Sequence, residues 1–385
     1  MKDIRKIDKS LLIIIVIYSI LGLVMILSAT SASTILRYHV ASNYFFIRQL
    51  IVLIVSYIIG FFILFVPTKR YKFLSYMGVI GIILLLIFVL AYGKITNNAQ
   101  SWFKIGPFML QPSEFAKTII IIFMAVFYNN LTVSKNKNIS LYFIPLSIAA
   151  IMAILIIKQP DLGSAAIFTA IAGFIFLTVP LIKKNFSKII KILVVVGILA
   201  VGVLMINSDK ILTDERLSRF NFKNPCSRYR EDTGYQVCNG LIAISNGGVF
   251  GVGLGNSTQK YMYLPESHTD FIFPIIIEEL GALTGMVIIL GYGFILLRIY
   301  KIAKEADNLR TSIIAYGAFW YFALHVLVNI LGVLALIPLT GVPLPFLSYG
   351  GSYTLNAILV IFIVERVAIE NKKNKFNREM SRLNN

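Results

Sequence analysis

Residues 311–364 read TSIIAYGAFWYFALHVLVNILGVLALIPLTGVPLPFLSYGGSYTLNAILVIFIV and contain no Asp, Glu, Lys or Arg. A helix needs roughly 20 apolar residues to cross the hydrocarbon core of a bilayer, and this stretch has room for two. Pro338, Gly341, Pro343, Pro345, Gly350 and Gly351 divide it into two helices and a loop. Further apolar runs of spanning length lie near 11–30, 45–66, 72–92, 113–130, 140–157, 162–181, 189–206 and 271–297, with the pair above near 311–335 and 349–367. The expected fold is therefore an all-α polytopic membrane protein of ten transmembrane helices, read as one integral membrane domain over 1–385. Composition agrees: the chain is 57% hydrophobic and 14% charged, with a mean hydropathy of +0.80. A soluble domain carries about 25% charged residues, and no single soluble core could bury this much apolar surface. The first run is long and lacks a small-residue cleavage signature, so it reads as a retained helix and not a signal peptide.

Charge orients the chain. Ten spans put both termini on one side. Most Lys and Arg lie at the N-terminus, in the loops near 67–71, 131–139, 182–188 and 298–310, and in a basic tail at 370–385. Only Arg37, Arg48, Lys94, Lys104 and Lys158 mark the short loops opposite and their flanks. The positive-inside rule then predicts cytoplasmic termini. The net charge of +18 is explained by anchoring to anionic lipid, and no nucleic-acid partner is expected.

One segment breaks the pattern of short loops. Residues 207–270 form a large extracytoplasmic loop between helices 7 and 8, and a loop of that length is usually functional or disordered. Its tail is rich in Gly and aromatics without being low-complexity, so order is expected. Both cysteines of the chain, Cys226 and Cys238, fall in it. Outside the cytoplasm a disulfide between them is the reading, with two free thiols as the alternative. Such a bridge would contribute about 2–3 kcal/mol locally.

Ionisable residues in or beside a bilayer cost several kcal/mol unless paired or solvated, so they point to function. Gln111-Pro-Ser-Glu-Phe-Ala-Lys117 opens the fourth span. Glu114 and Lys117, three apart, share a helix face. They form either a structural ion pair or the lining of a polar cavity that opens outward. Arg48 starts the second span, as an interfacial arginine or as a phosphate contact. Trp102 belongs either to the interfacial aromatic belt or under a sugar ring. Tyr263-Leu-Pro-Glu-Ser-His-Thr-Asp-Phe-Ile-Phe273 opens the eighth span. There Thr269 or Asp270 would make a helix N-cap; Asp270 could equally be a general base at the membrane surface, with Glu266 and His268 tuning it or binding substrate. Glu278 and Glu279 are adjacent and point in different directions, so at most one is expected toward the cavity and the other toward a partner in the bundle. Gly251-Val-Gly-Leu-Gly255 lacks the strand of a dinucleotide fingerprint. A flexible loop is expected there, with a phosphate-binding nest as the alternative. No Walker motif supports ATP hydrolysis.

Taken in order, Trp102–Lys117, Lys158-Gln-Pro-Asp-Leu-Gly-Ser164, Gly247-Gly-Val-Phe-Gly-Val-Gly-Leu-Gly-Asn-Ser257, Leu264–Phe273, Glu278-Glu-Leu-Gly281 and Gly341-Val-Pro-Leu-Pro-Phe-Leu-Ser-Tyr-Gly-Gly-Ser352 resemble the SEDS family (shape, elongation, division and sporulation proteins). The matches span nearly the whole chain and are specific jointly. The resemblance implies ten helices, a large outer loop before the eighth, and peptidoglycan glycosyltransferase activity on lipid II at the outer face of the cytoplasmic membrane. It maps the family's essential loop aspartate onto Asp270, its polar helix start onto Gln111, Ser113, Glu114 and Lys117, its outer-loop tryptophan onto Trp102, and its second-helix arginine onto Arg48. It also implies a partner, a class B penicillin-binding protein transpeptidase, among the membrane proteins of the divisome or elongation complex. The Tyr-Leu-Pro-Glu-Ser-His-Thr-Asp form and the Asn-Gly-Gly stretch look more like the division branch (FtsW) than the elongation branch (RodA). Pro274 stands where the family has alanine, at a first helical turn that tolerates it.

The expected chemistry follows. Asp270 takes the proton of the acceptor's 4-hydroxyl, one inverting displacement occurs, and Lys117, Arg48 and Lys260 are candidates to hold the departing pyrophosphate. A divalent cation could share that charge, although no metal cluster is legible. A lipid II flippase would also need a polar cavity, but no pair of inverted repeats with broken helices is evident. A scaffold that only recruits a partner is the third class considered.

Overall fold

The computed structural model describes residues 6–36, 39–96, 99–105, 108–135, 138–180, 187, 191, 222–230, 232–261, 263–265 and 267–383. Apart from residue 191, the predicted span at 189–206 lies outside the described residues, as do the first part of the large loop and Glu266. The other nine predicted spans are helical. They are α1 (Lys9–Leu36), α2 (Tyr44–Ile63), α3 (Tyr71–Tyr92), α4 (Pro112–Val133), the pair α5 (Ile139–Tyr142) and α6 (Ile144–Lys158), and α7 (Leu162–Thr178). After the large loop and its helix α8 (Asp232–Gly247) come α9 (Ile272–Lys304), α10 (Leu309–Val333) and α11 (Gly351–Leu383). The chain is thus a multi-pass membrane protein by the length and apolarity of its helices. Between α3 and α4 the outer loop folds into a short antiparallel sheet, β1 (Lys94–Thr96), β2 (Ala99–Ile105) and β3 (Phe108–Leu110), in that order.

In lipid, helices associate by close packing and interhelical hydrogen bonds, not by hydrophobic drive. Packing here centres on α4, α10 and α11, where Ile120, Met124, Ala315, Tyr321, Phe322 and Ile361 are buried. By contrast α2 and α3 expose Ile54, Phe62, Phe73, Leu84 and similar side chains to the bilayer.

Polar contacts sort to the two ends. At one end Asp8 meets Arg298 at 2.5 Å, Glu370 accepts from Thr68 at 2.6 Å, and Arg366 meets Glu370 at 3.1 Å. The sheet, the described part of the large loop and the 334–350 connection gather at the other.

The glycine-rich loop is ordered by backbone, which corrects the expectation of flexibility. Gly281 (φ +88°) breaks α9. A break strands carbonyls and N–H groups that a low-dielectric site penalises. Val252 and Gly253 donate to the Glu278 and Glu279 carbonyls at 2.9 and 3.0 Å, and Ala282 and Leu283 donate to Gly248 and Val249 at 2.9 and 3.2 Å. The Val252 and Gly253 N–H groups are thereby occupied and not open to a phosphate. The approach is too close for a side chain, because a Cβ on Gly281 would sit 2.2 Å from the Val249 oxygen. Gly281→Ala is therefore expected to lower stability by at least about 1–3 kcal/mol from the backbone conformation alone, read as a lower melting temperature in detergent. Gly293→Ala, with nothing within 4 Å, should leave it unchanged; equal melting of the two variants would reject the splint.

Candidate functional site

Pro112 occupies the first turn of α4, where no N–H partner is needed. Glu114 and Lys117 follow one turn apart, and Lys117 Nζ meets Glu114 Oε1 at 2.8 Å with both side chains under 5% exposed. Of the two readings the pair fits the buried ion pair, with side chains of α10 and α11 packed against it. His325 of α10 lies 3.1 Å from Lys117 Nζ through Nε2, while its Nδ1 is 2.7 Å from the Tyr321 carbonyl. A carbonyl only accepts and an ammonium only donates, so Nδ1 carries the proton and Nε2 receives from Lys117. Asn356 of α11 accepts from Thr118 at 2.7 Å and donates to the Tyr321 hydroxyl at 3.3 Å. Among the described residues, two buried atoms of this cluster have no hydrogen-bond partner, Glu114 Oε2 and Ser113 Oγ. Buried polar atoms are nearly always satisfied, so these two keep unused hydrogen-bonding capacity beside the ion pair.

Asp270 sits just outside α9, and the N-cap of α9 is Phe271 with no side-chain cap bond. The capping reading of Thr269 and Asp270 is corrected, and the carboxylate is not bound to a helix N-terminus. Oδ1 accepts from the Thr269 hydroxyl at 3.0 Å, and Oδ2 lies against Gly341, where a Cβ would be 3.8 Å away. The Asp270 carbonyl accepts from Asn329 Nδ2 at 2.8 Å, and the same amide reaches the Val342 carbonyl at 2.8 Å. Ser348 accepts from Leu344 N and donates to the Thr269 carbonyl, at 2.8 and 2.6 Å. Together these bonds lace the Asp270 segment to the proline-rich connection. His325 and Asn329 are four apart on α10, about 6 Å along the helix axis. Lys117 and Asp270 are thus fixed to successive turns of one helix.

The remaining candidates disperse. Gln111 donates through Nε2 to Asp161 at 2.8 Å and through its backbone to Ser352 Oγ at 2.9 Å. Arg48 stacks its guanidinium over Tyr44, 4.7 Å from the ring centroid, on the helix whose Phe45 packs 4.7 Å from His268. His268 is buried between Phe45 and Tyr349. Trp102 is half-buried in β2 opposite Lys94. Lys260 is buried on Glu279 at 2.8 Å, with Ser28 at 3.2 Å and the Gly255 carbonyl at 2.6 Å, so its ammonium is engaged within the protein. Both acidic neighbours are engaged within the protein, since Glu278 accepts from Ser257, Thr258 and Asn246. That both pair within the bundle agrees with the expectation that at most one would face a cavity. Cys226 and Cys238 are bridged, with Cα atoms 4.9 Å apart, and the bridge ties the start of the described loop to α8. Among the described residues no group of three or more His, Cys, Asp or Glu could hold a metal ion.

His325, Asn329, Asn356 and Asp161 were not singled out from sequence. A signal existed for the first two, which are intramembrane polar residues at an i, i+4 spacing.

The family described as cell cycle protein, comprising FtsW, RodA and SpoVE, matches residues 8–373. The probable peptidoglycan glycosyltransferase FtsW of Bacillus subtilis is 37% identical over 384 residues, 97% of this chain and 94% of that protein. Stage V sporulation protein E of the same organism is 34% identical over 372 residues, 94% and 96% of the two chains. A chain from a structure on polymerization and crosslinking by a peptidoglycan synthase complex superposes with a TM-score of 0.75 at 24% identity, covering 95% of this chain and 98% of that one. The rod shape determining protein RodA of Thermus thermophilus superposes with a TM-score of 0.65 at 24% identity, covering 94% and 96%.

Proposed function

Since the chain belongs to the FtsW, RodA and SpoVE family of cell cycle proteins, we propose that it is a peptidoglycan glycosyltransferase that polymerises lipid II at the outer face of the cytoplasmic membrane. The observation that carries this reading is the attachment of Asp270 and Lys117 to successive turns of α10 through Asn329 and His325. Asp270 is the base for the acceptor's 4-hydroxyl. As the oxygen attacks the donor's anomeric carbon, the bond to the lipid diphosphate breaks and charge develops on the leaving group. Lys117, held by Glu114 and His325, and Arg48 at the start of α2 supply the countercharge. The hydroxyl of Ser113 can donate to a phosphate oxygen, and Glu114 Oε2 can accept from a sugar hydroxyl. A divalent ion here would be held mainly by the diphosphate itself. The arrangement is closed around Lys117, so substrate entry needs the 334–350 connection to part from the Asp270 segment, a step that would gate turnover.

Both termini lie in the cytoplasm on this reading, which matches the basic tail. The likeness to FtsW of Bacillus subtilis favours septal synthesis in division, with a class B penicillin-binding protein as crosslinking partner. A flippase needs a broken helix facing its cavity. α9 is broken, but the loop at 248–253 seals the break, which favours the polymerase. The deciding experiment gives purified protein lipid II, with and without the cognate transpeptidase. Glycan strands are expected; translocation in liposomes without polymer would overturn the proposal.

A further inference from the structure

The end of the bundle opposite Asp270 encloses a cavity of about 140 Å³ that the reaction does not use. Its walls are Asp8 before α1, Arg298, Lys301 and Glu305 at the end of α9, and Asn371 and Lys372 on α11. Cations outnumber acids there. Arg298 gives Nη2 and Nε to Asp8 at 2.5 and 3.0 Å, and Lys372 Nζ donates to the Ile7 carbonyl at 3.0 Å. Lys301 pairs only loosely with Glu305, at 3.9 Å, and both are more than half exposed. Asn371 is buried and donates to the Ile302 carbonyl at 2.9 Å, but its Oδ1 has no hydrogen-bond partner among the described residues. An unmet buried acceptor is costly, and a ligand hydroxyl would meet it. Leu290, Phe294 and Leu297 are exposed along α9, at a spacing that makes Lys301 the last member of their row.

We propose that this cavity binds the headgroup of an anionic, hydroxyl-bearing phospholipid of the phosphatidylglycerol kind. Its phosphate rests on Arg298, Lys301 and Lys372, its headgroup hydroxyl donates to Asn371 Oδ1, and an acyl chain lies along Leu297, Phe294 and Leu290. Basic pockets between helix ends on the cytoplasmic side suit such headgroups. The apolar row commits the site to a lipid, because a soluble phosphate would meet the same cations and gain nothing from it. The lipid would clamp the segment before α1 to α9 and α11.

The test is lipid retention by the purified full-length protein in native mass spectrometry, with melting temperature alongside. Phosphatidylglycerol, phosphatidylcholine and phosphatidic acid of identical chains are compared with glycerol phosphate. Phosphatidylglycerol should be retained about tenfold more than the others, and the exposed-lysine variant Lys301→Gln/Lys372→Gln should lose that preference while melting normally in phosphatidylcholine. Equal retention of phosphatidylglycerol and phosphatidylcholine, phosphatidic acid matching phosphatidylglycerol, equal stabilisation by glycerol phosphate, or a preference that survives in the variant would each overturn the site.

Discussion

Asp270→Asn should leave the protein folded and lower the rate of lipid II polymerisation by about 10²- to 10⁴-fold, the usual contribution of a positioned general base. The fold argument rests on what the residue does for its neighbours. Its carbonyl, not its side chain, is the group that Asn329 holds, and asparagine keeps that carbonyl. Asparagine also keeps an oxygen for the Thr269 hydroxyl, 3.0 Å away in the native protein. No helix cap is lost, since α9 begins without one. What disappears is the capacity to take a proton from the acceptor sugar. The measurement is glycan polymerisation by purified variant in detergent, with its melting temperature compared with wild type. A wild-type rate would remove Asp270 from the chemistry, whereas a large fall in melting temperature would make it a structural residue.

How much of this was legible beforehand varies with the kind of interaction. The spans were legible because apolar runs of bilayer length have few other uses, and the break between α10 and α11 followed from Pro338 to Gly351. The role of the Gly247–Gly255 run was not, because backbone-to-backbone hydrogen bonds across a broken helix leave no side-chain signature. The surroundings of Lys260 were illegible for a related reason. Its partner Glu279 lies in a different element, so nothing local announces the pair. Glu114 and Lys117 were legible as a pair by their spacing, yet His325, which adjoins the lysine, lies in the uncharged stretch 311–364. A search for charges passes over it. The spacing of His325 and Asn329 on a helix otherwise apolar was the available sign that α10 carries a polar face.

Glu114→Gln and Lys117→Met separate folding from chemistry when made singly and together. Removing one member of a buried ion pair leaves the other charge uncompensated in a low dielectric, at a cost of about 3–5 kcal/mol. Lys117→Met strands Glu114, which is 3% exposed and already has one oxygen without a partner; Glu114→Gln strands Lys117 with His325 as its remaining neighbour at 3.1 Å. Both single variants should therefore melt well below wild type. The double variant removes both charges and retains most of the volume, so its stability should recover by most of that amount, as replacement of a buried pair by neutral groups is often near neutral. Polymerisation should not recover with it, because a leaving diphosphate still needs a cation at this position. Melting temperature and polymerisation rate, read on the same preparations, decide the matter. A double variant that regains activity along with stability would reduce Glu114 and Lys117 to packing, and with them the electrostatic half of the proposed mechanism.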